Sequence, residues 1–172
     1  LLIVDDIQVG NGRTGTFFSF EPSGIKPDLV CLSKAIGGGF PMSLVLINPD
    51  IDIWKPGQHT GTFRGNNLAF VASRAVLNYW RDDALTNHIS ENVTTILHRL
   101  QRISEKVIST PVSIRGKGMV WGVDTGDDPW ASEVCKKAFE NGLMIETSGA
   151  NDQVIKLCLL YTSDAADDLT RV

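Results

Sequence analysis

The chain has 172 residues, enough for one domain or for a domain and part of another. Its 16 basic and 20 acidic residues give a formal net charge of −4 with no basic concentration anywhere, so it carries no electrostatic footprint for nucleic acid or an anionic membrane. Small acidic or zwitterionic metabolites stay open. The three cysteines, Cys31, Cys135 and Cys158, are too scattered for a disulfide framework or a metal site and suit a reducing, cytoplasmic setting.

The chain begins on the apolar run Leu1-Leu2-Ile3-Val4, without Met and as if inside a strand, which suggests a segment of a longer protein. That run, closed by Asp5-Asp6, predicts a strand buried on both faces in a parallel sheet. Glycines and Arg13 follow from Gly10 to Gly15, then the aromatics Phe17, Phe18 and Phe20. A second strand is predicted over Leu29–Leu32, running into Ser33-Lys34 and Gly37-Gly38-Gly39, and a third over Leu44–Ile47, closed by Asn48-Pro49. The connections read as loops rather than crossover helices. No run approaches the roughly 20 apolar residues that span a bilayer.

From Asn66 the period becomes helical. Leu68, Val71, Ala72, Ala75, Val76 and Tyr79 form one expected face, with Asn66 or Asn67 as its cap. A second stripe runs Ile89, Val93, Ile96, Leu97, Leu100, Ile103 and Val107, with Arg81-Asp82-Asp83 as the joint and Pro111 as the stop. Residues 112–123 read as one or two strands. Residues 129–141 read as a helix ended by Gly142, and 154–160 as a further strand. A second, smaller α/β domain is therefore expected from about residue 110. His59, His88 and His98 lack zinc spacing, so no metal site is predicted. The four tryptophans read as packing residues.

Two positions invite chemistry. Asp5 ends a strand where open α/β sheets place ligands. It could equally cap the next turn, or bind Mg²⁺ as the acid of a nucleotide-binding module, although no phosphate-loop motif accompanies it. Lys34 stands at the mouth of the second strand, before glycines that let backbone approach a ligand. If burial there strips its hydration, the neutral amine is favoured, a nucleophile suited to a Schiff base with a carbonyl cofactor.

Taken together, Leu2-Ile3-Val4-Asp5-Asp6-Ile7-Gln8-Val9-Gly10-Asn11-Gly12-Arg13-Thr14-Gly15, Lys26-Pro27-Asp28, Ser33-Lys34-Ala35-Ile36-Gly37-Gly38-Gly39-Phe40-Pro41 and Gly61-Thr62-Phe63-Arg64-Gly65-Asn66 resemble the signature of the class-III (ω-type) aminotransferases, over roughly residues 1–157. The resemblance implies an α/β fold of pyridoxal-phosphate fold type I. Residues 1–110 would be the end of a large domain with a helical arm, 111–157 the start of a small domain, and 158–172 a non-native tail read through from a sequencing adapter. It implies pyridoxal 5′-phosphate as cofactor, with Lys34 its covalent anchor, Asp5 on its pyridinium nitrogen and Gln8 on its phenolic oxygen. Thr62 would reach the phosphate across a homodimer interface, and Arg13 and Arg64 are assigned no role. Family members mostly have Glu where Asp6 stands and Pro where Asn67 stands. Those departures, with Trp54-Lys55-Pro56-Gly57 and Tyr79-Trp80-Arg81-Asp82-Asp83, resemble the branch that passes the amino group of L-glutamate to L-aspartate 4-semialdehyde. Ornithine or 4-aminobutyrate enzymes of the class are the alternative.

Overall fold

The computed structural model describes residues 1–62, 64–106, 112–126 and 130–159. The chain forms two compact units, one through Thr86 and one from Asn87. The division falls at the start of the second long helix, earlier than the change of pattern near residue 110.

The first unit holds a three-stranded sheet in the order β1 (Ile3–Asp5), β2 (Leu29–Leu32), β3 (Leu44–Ile47). β1 and β2 are parallel, with Asp5 level with Cys31. The parallel pairing expected for the first strand therefore holds, whereas β3 runs antiparallel to β2. Chain length explains the difference. The link from Ser33 to Ser43 is too short for the crossover a parallel return requires, whereas residues 6–28 are ample. Asp28 ties the three strands together: its carboxylate accepts from the Leu2 N–H at 2.7 Å and its carbonyl from the Asn48 N–H at 2.8 Å.

Among the described residues of the first unit one face of this sheet is covered, which departs from the burial on both faces expected of the first strand. Val30, Leu32 and Ile36 are buried together with Phe17, Phe18, Phe20 and Leu44 packed on them. On the opposite face Ile3 is 60% and Val45 55% exposed. Pleat alternation explains the split, because Ile3, Asp5, Cys31 and Val45 share that open face through the strand register.

Helix α1 (Asn67–Leu77) is capped by Asn66, whose side chain accepts from the Leu68 and Ala69 N–H groups at 3.0 and 3.5 Å. Its packed face differs from the apolar stripe in the sequence. Ala69 and Ser73 are buried, while Leu68, Val71 and Tyr79 are largely exposed. Two residues of the stripe do pack closely: a Cβ added at Gly38 would stand 3.0 Å from Ala72 Cβ and Val76 Cγ2.

In the second unit, α2 (Ala84–Lys106) buries Ile89, Asn92, Ile96 and Leu100, close to the predicted stripe, although Ile103 is exposed and Val107 lies outside the described residues. Asn92 offsets its burial by pairing its amide with the His88 ring at 3.1 Å. A four-stranded antiparallel sheet follows in the order β4-β5-β7-β6, built from β4 (Ser113–Lys117), β5 (Val120–Asp124), β6 (Glu146–Ser148) and β7 (Val154–Cys158). Trp121, Val123, Ile155 and Leu157 form its buried face. Gly116 stands opposite Trp121, where an added Cβ would meet the indole at 2.5 Å.

Helix α3 (Trp130–Glu140) ends as its sequence predicts. Gly142 is left-handed at φ 86°, and the Gly142 and Leu143 N–H groups return to the Phe139 and Ala138 carbonyls at 3.0 and 2.9 Å. Cys158 closes β7 and Leu159 is buried; the rest of the expected tail lies outside the described residues. No helix among the described residues is long and apolar enough to cross a membrane.

Candidate active site

Because β1 and β2 are parallel, their carboxyl ends open on the same edge of the sheet, and the chemistry-bearing residues of the motif collect there. Asp5 is the last residue of β1 and is exposed. One carboxylate oxygen accepts from the Ile7 N–H at 3.0 Å, so the acid does cap the next turn. Its second oxygen has no protein partner among the described residues and faces solvent chemistry at the strand end.

Asp6 behaves in the opposite way. It is fully buried, accepts from the Ser19 N–H at 3.0 Å and from the Ser19 hydroxyl, and its carbonyl accepts from the Gly10 N–H at 3.1 Å. Gly10 must lack a side chain, since a Cβ there would lie 2.7 Å from the Asp6 carbonyl oxygen. Asp6 thus staples the loop that carries Gln8. In the sequence Asp6 stands as the companion of Asp5, and the signal for its separate role is Gly10 four residues on. Asn11 is also buried in this loop, and neither atom of its side-chain amide finds a hydrogen-bond partner.

Gln8 presents its Oε1 to Lys34, whose Nζ donates to it at 3.4 Å, a long hydrogen bond. With the oxygen so used, the Gln8 NH₂ remains a donor. Lys34 opens a short 3₁₀ turn (Lys34–Gly37) and has a left-handed backbone, φ 52°. Its side chain is exposed, so the desolvation expected at the strand mouth is not supplied by the described residues. The corrected picture is a lysine oriented by Gln8 rather than one stripped of water by its own unit.

Thr62 lies in an exposed turn ahead of α1. No hydrogen bond among the described residues joins it to Asp5, Gln8 or Lys34. Arg64 closes that turn through its N–H to the Gly61 carbonyl at 3.2 Å. Asp5, Gln8, Lys34 and Thr62 are also absent from the cleft that Phe17, Phe18 and Trp80 form with Glu21, Asp82 and Asp83. Among the described residues no group of three or more His, Cys, Asp or Glu could hold a metal ion.

Shifted ionisations lie away from these residues. Burial pushes the Cys135 thiol up, helped by the Glu146 carboxylate. On α3 the hydrogen bond and charge of Lys137 hold Glu133 below the ordinary carboxylate value, and Glu133 raises Lys137 in return.

The family model for class-III aminotransferases matches residues 1–171. Among curated relatives, the diaminobutyrate–2-oxoglutarate transaminase of Oceanobacillus iheyensis is 52% identical over 157 residues, covering 91% of this chain and 37% of that protein. The enzyme of the same name from Wolinella succinogenes is 51% identical over 156 residues, covering 91% and 36%. The crystal structure of the ornithine aminotransferase from Toxoplasma gondii matches with a TM-score of 0.87 at 29% identity, over 99% of this chain and 42% of that one. The chain therefore spans little more than a third of the length of the curated relatives it matches. The Mg²⁺-nucleotide alternative falls with these matches, and the α/β architecture is that of the fold-type-I transferases. With a signature edge built from β1 and β2 and a match along nearly its whole length, the chain belongs to the class-III aminotransferase family.

Proposed function

We propose that the complete protein is a pyridoxal-phosphate-dependent diaminobutyrate–2-oxoglutarate aminotransferase. It exchanges the terminal amino group between L-2,4-diaminobutyrate with 2-oxoglutarate and L-aspartate 4-semialdehyde with L-glutamate, running toward diaminobutyrate in ectoine biosynthesis. The observation that carries the reading is the Lys34 amine on the Gln8 amide at the carboxyl edge of β1 and β2, beside Asp5. The name borne by relatives at 51–52% identity supports the substrate.

The residues suit the cofactor. Lys34 offers an exposed amine for covalent attachment, and Gln8 keeps an NH₂ for a ring oxygen. Asp5 keeps an oxygen for a protonated ring nitrogen. The bound cofactor supplies an electron sink for charge developing at the substrate carbon. Lys34 holds and returns the migrating proton at Nζ. Thr62, lying in an exposed turn, suits a phosphate contact in a partner subunit, so the complete enzyme is proposed to be a homodimer. Residues 1–110 are assigned to the large domain and 111–157 to the small one; Cys158, paired in β7, and buried Leu159 continue that sheet, so the proposed appended tail begins after them. A cytoplasmic location fits the three free cysteines.

A second reading, another class-III ω-aminotransferase, is favoured by the structural match to an ornithine enzyme. Ornithine differs from diaminobutyrate by one methylene, which a pocket distinguishes by about 10- to 200-fold. The complete enzyme should consume L-2,4-diaminobutyrate with 2-oxoglutarate at least about tenfold more efficiently than ornithine or 4-aminobutyrate. Preference for either of those amines would replace the first reading with the second.

A further inference from the structure

The backbone of Lys34 is held in a conformation that its own chemistry disfavours. Ser33 is extended, and Lys34 immediately turns into the left-handed region at φ 52°. A side chain crowds its own carbonyl there, so non-glycine residues persist only where the surroundings fix them. Nothing in the lysine side chain compensates locally, unlike an Asn or Asp that can bond its own backbone. The constraint must come from elsewhere in the loop.

Its source is visible at both ends of residues 33–42. The Ser33 hydroxyl donates to the Met42 carbonyl at 2.7 Å, in a half-buried position. Between these ends Ile36 is 1% exposed and sits in the first unit's core. Gly37 presses on Met42, where an added Cβ would stand 3.1 Å from the Met42 Cβ. Ile36 anchors the middle of the loop, and the Ser33 hydroxyl closes it. Backbone N–H groups of Ile36, Gly38 and Phe40 return to Ser33, Ala35 and Gly37, so these backbone bonds are local turns. The Ser33–Met42 bond joins the two ends of the loop beside Lys34, and Lys34 Nζ reaches out of the loop to Gln8.

We propose that Ser33 is a positioning residue: its hydroxyl, clamped on Met42, fixes the left-handed Lys34 backbone and so aims Nζ at Gln8. This inference rests on the reading of Lys34 as the cofactor lysine and deepens it. Without the clamp Lys34 relaxes toward ordinary negative φ, which redirects its Cα–Cβ bond and lifts the amine off Gln8. Charge placement at the lysine should then change although the Ser33 hydroxyl bonds the Met42 carbonyl and not the lysine amine.

The test uses the complete enzyme with Ser33→Ala, Ser33→Thr and Lys34→Ala. In apoenzyme, hydrogen exchange across residues 33–42 should speed up about threefold to tenfold in Ser33→Ala, the equivalent of one lost hydrogen bond. In loaded enzyme, kcat should fall by a similar factor with KM changed less than about twofold. The pH midpoint of the lysine-bound cofactor's visible absorbance should shift, and Ser33→Thr should restore all three. Should Ser33→Ala fail to fold, Ser33→Cys, similar in shape but a weak donor, reads the same quantities. Parent-like exchange, kcat and pH midpoint in Ser33→Ala, with Lys34→Ala still abolishing the absorbance, would overturn the clamp alone. Retained absorbance in Lys34→Ala would overturn the cofactor reading and the clamp with it.

Discussion

The two units handle their apolar residues differently. The second covers one face of an antiparallel sheet with Trp121, Val123, Ile155 and Leu157 and leaves few large apolar residues exposed, chiefly Ile103, Phe139 and Met144 among the described residues. The first covers only the Val30–Leu32 face of its sheet. It exposes Ile3 and Val45 on the other, together with Leu68, Val71 and Tyr79. Asp5, at the end of β1, and Lys34, just after β2, stand at the carboxyl edge of that sheet. A self-sufficient core and an open reactive edge are separate uses of the same α/β materials. Substitutions in the second unit should therefore register as stability, and those at the edge of the first as function.

The largest break in that contrast would come from Trp121→Ala. Trp121 fills the space left by Gly116 and donates its indole N–H to the Gly118 carbonyl at 2.7 Å. Truncation should cost about 3–5 kcal/mol of unfolding free energy, read by denaturant titration. An effect below about 1 kcal/mol would show that the second sheet is less self-contained than its burial implies.

Next is Asp6→Ala, which strands the Ser19 N–H and hydroxyl and frees the loop bearing Gln8. About 1–3 kcal/mol of stability should be lost, and calorimetry of the complete enzyme should show it together with a reduced kcat. Loss of stability with unchanged kcat would mean that the loop holds Gln8 by other means.

Gly142→Ala forces a Cβ into the left-handed position that ends α3. A penalty of about 1–2 kcal/mol is expected, visible as a lowered thermal midpoint with kinetics unchanged. The smallest effect belongs to Glu133 and Lys137. Because Glu133 titrates below its unfolded value, its contribution is present at neutral pH and fades as pH falls through the acid range. Because Lys137 titrates above its own, its contribution is lost only in strong alkali. Both side chains are mostly exposed, so salt should weaken the pair. Lys137→Ala should lower stability slightly at neutral pH and so flatten the acid limb of the stability–pH curve, leaving its strongly acid end unmoved.

Much of the fold can be read directly from the residues, and the failures have identifiable causes. The runs 29–32 and 44–47 and the helical periods over 67–77 and 84–106 are short-range patterns, and each became the expected element. The face of α1 followed its apolar stripe only in part: Ala72 and Val76 of the stripe stand against Gly38, while Ala69 and Ser73 are the residues the helix buries. The direction of β3 was decided by the length of the 33–43 link rather than by hydrophobicity. At the site, Asp5, Gln8 and Lys34 stand out only as a joint motif. The burial of Asp6 and the Ser33–Met42 bond are tertiary facts that no spacing reveals. Lys34 was expected to be desolvated by a strand mouth, yet the open edge of this unit leaves it exposed.

The central claim is that the edge formed by β1 and β2 holds a carbonyl cofactor through Lys34. Borohydride reduction of the loaded complete enzyme, followed by peptide mass mapping, tests it most directly. If Lys34 anchors the cofactor, the reduced pyridoxyl adduct lies on the peptide containing Lys34. An adduct on another lysine, or none on a protein saturated with cofactor, would contradict it.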